Sequence, residues 1–332
     1  MQTIRANDPR LTWQGAVSLE TADDFVMPWR IPHEQRGLFA EALQLRASQA
    51  AGVRVSFHSD TSTISGSVVL DAQAEEEAQI DLYCDGEFQG TADILRADEF
   101  GFQNLPSGEK LIELWVPQFA QFRLRSLQID DGATIEPFDD QRPKWITYGS
   151  SISHCRAAES PSQTWPAIVA RESNLDLTCL GYGGNCHAEP MVARMIRDMP
   201  ADYISMKVGI NIYGAASLSE RTFREAIIGF VQIVREKHPD TPFALISSII
   251  SPPRETTLND VGFTMESMRE QVEAAAEALR SHGDKHIMYF DGLKLMGADE
   301  AHMLPDDVHP SAEGYKIMGG NFLKEIAPTF FV

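Results

Sequence analysis

Two short segments far apart in the chain carry side chains suited to nucleophilic catalysis. Gly149-Ser150-Ser151-Ile152-Ser153 follows the apolar run from Trp145 to Tyr148, and Asp306-Asp307-Val308-His309-Pro310 stands near the C-terminus. A serine hydroxyl is a weak nucleophile until a base takes its proton, and an imidazole is the better base when an acid fixes its tautomer. A serine on a strand-to-helix turn and an Asp-x-x-His supply those parts. Between them, Gly181-Tyr182-Gly183-Gly184-Asn185 and Gly209-Ile210-Asn211 have the residue types that could donate to a tetrahedral oxyanion. Serine-hydrolase chemistry is what this set predicts.

The elements that must position these groups change character along the chain. Val53 to His58 alternates apolar and polar, as a half-buried strand does, and Thr63–Leu70, Gln79–Cys84, the Ile112/Leu114/Val116 face and Phe122–Ile129 are further β-rich runs. Asp85-Gly86 is a hairpin signal, and Glu75-Glu76-Glu77 reads as a solvated turn. With no long helical pattern among them, residues 1–140 are expected to form an antiparallel β-sandwich, a jelly roll. From 141 to 332 strands alternate with helices. Strands are expected at Lys144–Gly149, Leu175–Leu180, Tyr203–Val208, Phe243–Ile250 and His286–Phe290. Helical faces recur at Phe223/Ile227/Phe230/Val234 and Met265/Met268/Val272/Leu279, and Ser311 is placed to cap a last helix. Such alternation predicts a mostly parallel sheet with helices on both faces, and Asp139–Pro143 is the expected linker. Ligands of open parallel sheets sit beyond the carboxyl ends of the strands. Ser151, Gly184 and Asn211 follow the first three strands, so all three fall on that rim, and the loop before the last helix would bring His309 over it.

Bulk composition narrows the function class. The chain has 332 residues, 43% hydrophobic and 23% charged, which suits two globular domains. A formal charge of −20 opposes nucleic acid and anionic membranes as partners. No apolar run reaches membrane-spanning length, and the first residues lack the apolar core of a secretory signal. Cys84, Cys155, Cys179 and Cys186 show no C-x-x-C spacing and read as free buried thiols of a cytoplasmic protein. His282, His286 and His302 have no metal-ligand spacing, so neither a metal nor a cofactor is implied. Oligomeric state is left open.

The ordered blocks resemble those of the SGNH (GDSL-type) hydrolases. Gly149-Ser150-Ser151-Ile152 matches the first block with Ser151 at the nucleophile, and Gly184 matches the oxyanion glycine. Gly209-Ile210-Asn211 matches the third block, with Asn211 as a side-chain donor, and Asp306-x-x-His309-Pro310 matches the last. The resemblance spans roughly residues 144–325. It implies a flavodoxin-like three-layer α/β/α domain in which His309 is the general base, Asp306 its orienting acid, and Ser151, Gly184 and Asn211 the oxyanion donors. Ser150 stands where the family has aspartate, and Ile212 where aspartate often follows the asparagine; altered loop packing is the expected consequence. A β-sandwich before such a domain is similar to two-domain esterases that remove acetyl groups from sugars. Ile80-Asp81-Leu82-Tyr83 resembles a segment of modules that precede some of them, although Gln79 replaces the usual glycine. The sandwich either binds sugar or covers one edge of the sheet.

Several neighbours carry two readings. Ser150 is the alternative nucleophile and Asp307 the alternative acid. His187, Tyr213 and Arg254 could line a substrate pocket, or serve loop packing and surface pairing instead. Cys155 and Cys186 flank the functional loops. The expected activity is hydrolysis of short-chain carboxylic esters, O-acetyl groups on carbohydrates foremost, with a small-molecule or oligosaccharide ester as substrate. A thioesterase or lysophospholipase of the same family, and a carbohydrate-binding protein on the hydrolase fold, are the rival readings.

Overall fold

The computed structural model describes residues 1–69 and 78–332; Leu70 and the expected Glu75–Glu77 turn lie outside the described residues. The first part of the chain forms two six-stranded antiparallel sheets. In one, Leu124–Ile129 pairs with Gln2–Arg5, Val26–Trp29 and Thr63–Val68, and Glu99–Gln103 extends the edge. In the other, Arg54–Ser59 pairs with Thr12–Gln14, Glu136–Pro137 and Lys110–Trp115, followed by Gln79–Cys84 and Glu87–Asp93. The period-two pattern explains the packing. Ile64, Leu127 and Ile129 from one sheet join Val55, Phe57, Ile80, Leu82, Ile112 and Leu114 from the other in a single apolar core.

The second part is a five-stranded parallel sheet whose strands we number β1 (Lys144–Gly149), β2 (Asp176–Gly181), β3 (Tyr203–Lys207), β4 (Phe243–Ile246) and β5 (Ile287–Phe290). Their spatial order is 2-1-3-4-5, the flavodoxin-like arrangement, with its switch point between β1 and β3. Phe223, Ile227, Phe230 and Val234 are all buried on the Glu220–Arg235 helix, as are Met265, Met268, Val272 and Leu279 on Met265–Ser281. Ser311 caps Ala312–Glu325, its hydroxyl accepting from the Gly314 amide at 3.2 Å. The fourth strand is shorter than expected: after Ile246 the Ser247–Ile250 stretch leaves the sheet, and the Ile250 amide bonds to the Met296 carbonyl at 3.0 Å.

Charged residues of the sandwich are buried where the two parts meet. Arg30 is fully buried and donates to the carbonyls of Gln49 (2.6 Å), Cys179 (3.0 Å), Gly181 (2.6 Å) and Arg46. Arg54 reaches Asp176 at 2.6 Å and the Leu177 carbonyl at 3.2 Å. Asp81, in the motif noted above, is fully buried and accepts from the Ser160 hydroxyl at 2.5 Å and the Ser162 amide at 2.9 Å. The short helix Glu41–Ala47, not apparent in the periodicity because it is only seven residues long, inserts Leu43 and Ala47 into the apolar core of the α/β part. The sandwich is thus tied to β2 along its length, Arg54 at the amino end and Arg30 at the carboxyl end next to the loop that carries Gly184.

Candidate active site

Backbone constraints place the serine. At the end of β1, Gly149 lies level with Gly181 on β2 and Lys207 on β3. A Cβ on Gly149 would collide with the Ser153 side chain, so glycine lets the chain fold straight back into the one-turn helix Ser151–His154. Ser150 caps that turn: its hydroxyl accepts from the Ile152 amide at 3.3 Å, and the residue is buried. Ser151, the first helical residue, instead presents its hydroxyl to the cavity.

The Ser151 hydroxyl lies 2.8 Å from His309 Nε2, and His309 Nδ1 lies 2.6 Å from an Asp306 carboxylate oxygen. The other Asp306 oxygen accepts the backbone amides of Val308 (3.0 Å) and His309 (2.7 Å). Slight burial pushes the Asp306 carboxyl up, but these bonds outweigh it and hold it below the usual carboxylate range. Asp307 adopts a left-handed conformation, φ +62°, which turns the chain so that its neighbour, not Asp307 itself, faces the imidazole. The Asp307 carbonyl accepts from the Ser251 hydroxyl at 2.7 Å and from Arg254 at 3.4 Å. A hydroxyl on an imidazole on a carboxylate is the arrangement that activates a serine nucleophile.

Facing this chain is the loop after β2. The backbone amides of Ser151 and Gly184 have no hydrogen-bond partner among the described residues, and Gly184 is exposed with φ +73°. Asn211, on the first turn of Ile210–Ala215, donates through Nδ2 to the Asn185 carbonyl at 2.5 Å, which leaves its second amide hydrogen for the cavity. Asn185 in turn donates to the Gly183 carbonyl at 2.9 Å. Ile212 is fully buried, which accounts for an apolar residue where an aspartate is common.

The loop is braced by groups that residue types alone did not single out. Glu189 accepts the amides of Cys186 (3.1 Å) and His187 (3.0 Å) and the hydroxyl of fully buried Tyr148. Beneath it, His154 Nε2 lies 2.9 Å from the Gln118 carbonyl and Nδ1 lies 3.4 Å from the Gly183 amide. The carbonyl can only accept and the amide only donate, which favours a neutral tautomer with the proton on Nε2; the Arg30 guanidinium lies 3.3 Å from that same nitrogen. Burial, reinforced by Arg30, holds this imidazole well below its usual range. Burial also pushes the thiols of Cys155 and Cys186 up, making both poor nucleophiles.

Ser151, Gly184, Asn211, Asp306 and His309 line one cavity of about 560 Å³. His187, Tyr213 and Arg254 are not among its lining residues. His187 bonds to Ser217 at 2.6 Å and to the Gly184 carbonyl at 3.2 Å; Tyr213 donates to the Thr257 carbonyl at 2.9 Å; Arg254 secures the Asp307 loop. Arg46 and Phe119 of the sandwich do line the cavity. Their signal lies in a tertiary contact between distant segments, which spacing does not reveal. Among the described residues no group of three or more His, Cys, Asp or Glu is gathered for a metal, and no helix is long and apolar enough to cross a membrane.

Residues 143–326 match the model of the GDSL-like lipase/acylhydrolase family. The chain belongs to that family. Residues 11–125 match the SsfX3 N-terminal domain. Among solved structures, this member of the family is similar to the salicylyl-acyltransferase SsfX3 from a tetracycline biosynthetic pathway, with 38% identity, a TM-score of 0.91 and coverage of 98% of this chain and 97% of that one. A GDSL-like protein from Bacteroides ovatus ATCC 8483 shares 22% identity over 98% and 97% of the two chains, at a TM-score of 0.82. A family two carbohydrate esterase from Clostridium thermocellum shares the fold, at 14% identity, a TM-score of 0.67 and coverage of 96% and 98%. No curated protein sequence matches the chain.

Proposed function

We propose that this protein is a serine esterase that hydrolyses short-chain carboxylic esters through an acyl-enzyme on Ser151. The observation that carries the reading is the continuous hydrogen-bonded chain Ser151–His309–Asp306, at 2.8 and 2.6 Å, opening into the cavity. His309 Nε2 takes the hydroxyl proton as Ser151 Oγ attacks the ester carbonyl. The tetrahedral oxyanion receives the amides of Ser151 and Gly184 and the Asn211 carboxamide. Collapse breaks the bond to the alkoxide, to which His309 returns the proton, and the alcohol departs. Water then attacks the acyl-serine with His309 again as base, releasing the acid and restoring the hydroxyl. Asp306 keeps the imidazole in the productive tautomer throughout. Among esters, O-acetylated carbohydrates are the class favoured by the fold shared with carbohydrate esterases.

A second reading has its own support: transfer of the acyl group to an acceptor alcohol, favoured by the 38% identity to a protein described as an acyltransferase. Both readings use the same acyl-enzyme and differ only in what attacks it. The test is hydrolysis of p-nitrophenyl esters from acetate to dodecanoate, with and without an added acceptor alcohol, beside Ser151→Ala. Acetate-peaked release that is lost in the variant supports the esterase, and acceleration by the alcohol with formation of a new ester supports transfer. A folded protein inert towards every ester contradicts both.

A further inference from the structure

One wall of the reactive cavity is built from charges of a sign that the chain as a whole disfavours. The protein carries a formal charge of −20, which repels anions in general, yet Arg46 and Arg156 both line the cavity beside Ser151. Both guanidiniums lie over the same ring: the Arg46 group is 4.9 Å and the Arg156 group 5.3 Å from the centre of Phe119. Arg46 comes from the sandwich, on the short helix whose other face is buried in the α/β part. It is half-buried, its hydrogen bond goes to the neutral side chain of Gln49 at 3.3 Å, and it takes part in none of the ion pairs among the described residues. Burial and the neighbouring Arg156 push its guanidinium down from the usual range, the direction that an anion bound beside it would oppose. Asp306, which lines the same cavity, is bonded to His309 and makes no ion pair with Arg46.

We infer that Arg46, Arg156 and the ring of Phe119 form an anion-binding subsite of the esterase, selecting esters that carry a carboxylate. A guanidinium matches a carboxylate with two parallel hydrogen bonds, and the Phe119 face offers apolar contact to the carbons between carboxylate and ester. Gly183 lies between the two: a Cβ there would touch both the Arg46 side chain, at 3.4 Å, and the Ser151 Cβ, at 3.6 Å. This inference deepens the esterase reading and rests on it for its kinetic arm.

Two matched pairs separate the side of the ester that bears the charge. p-Nitrophenyl hemisuccinate against p-nitrophenyl pentanoate places the carboxylate on the acyl group; 4-acetoxybenzoate against methyl 4-acetoxybenzoate places it on the alcohol. The expected result is at least a tenfold preference in kcat/KM for the charged member of one pair. That ratio should fall close to one in Arg46→Gln and be partly kept in Arg46→Lys, with thermal melts showing all three proteins folded. Equal use of charged and neutral members by the wild type, or a preference untouched by Arg46→Gln, overturns the subsite. If no ester is hydrolysed, calorimetric binding of succinate and benzoate decides separately from turnover. Binding weakened at least tenfold by Arg46→Gln upholds the subsite while the esterase reading fails, and no difference between the proteins refutes it.

Discussion

Asn211 is asked to do two things at once, and a single substitution separates them. One amide hydrogen ties the Asn185 carbonyl at 2.5 Å, and the other is left for the cavity that Asn211 lines together with Ser151. Asn211→Ala removes both. The lost tie is one hydrogen bond of a half-buried group, about 1 kcal/mol of stability, so the melting temperature should fall by only a few degrees. On the proposed mechanism the lost oxyanion donor acts only once charge has developed on the carbonyl oxygen, and such donors are each worth about 10²–10³ in turnover. The effect should therefore appear in kcat with KM nearly unchanged, the signature of an interaction made in the transition state alone. Steady-state hydrolysis of p-nitrophenyl acetate, run beside a thermal melt, reads both quantities. A kcat within threefold of wild type in a folded protein would refute the assignment. A loss expressed mainly in KM would mean that Asn211 binds substrate and does not stabilise the oxyanion.

Three further outcomes follow from the same geometry. Glu189→Ala strands the buried Tyr148 hydroxyl and two loop amides, at about 1–3 kcal/mol each; melting and kcat should both drop, kcat by at least tenfold, and Glu189→Gln, which keeps one acceptor, should lie between. Asp306→Asn should lower kcat by roughly 10³–10⁴. Because the folded Asp306 carboxyl is held below its unfolded value, the stability it contributes is present at neutral pH and is lost as pH falls through the carboxylate range; urea titrations of wild type and variant should converge there, and a gap that widens in acid would contradict the assigned bonds. Lys207, fully buried, is pushed down to about 8 by burial. The unfolded chain then binds more protons between about pH 8 and 10.5, so folding stability gains on the order of 3 kcal/mol across that window. Lys207→Met should remove this rise, and a variant with the same pH dependence as wild type would show that Lys207 is not the group responsible.

How much of this was legible beforehand depends on the kind of signal. The parallel sheet and its helices are written in local periodicity, and the four blocks mark residues that must follow strand ends, so Ser151, Gly184, Asn211 and His309 could be expected on one rim. The choice between adjacent serines needed the structure: Ser150 is consumed as a helix cap and Ser151 is not. Asp307 is separated from Asp306 by the left-handed turn at its own backbone. His187, Tyr213 and Arg254 stand beside functional blocks, but their polar atoms go to backbone groups and a loop serine, and nearness in sequence carries no direction. Arg30, Arg46, Phe119 and Gln118 were invisible for a different reason. They act from the sandwich on a loop more than 60 residues away in sequence, and only the buried joint between the two parts brings them there. Asp81 stands in a recognisable motif, but its role as a tie to Ser160 and Ser162 is likewise a tertiary fact.

The central claim is that Ser151, activated by His309, is the nucleophile. Treatment with a fluorophosphonate followed by intact mass and peptide mapping tests it without assuming any substrate. The account predicts one phosphonyl adduct per chain, located on Ser151, absent in Ser151→Ala and strongly slowed in His309→Ala. An adduct on Ser150, or none on a protein shown to be folded, would contradict it.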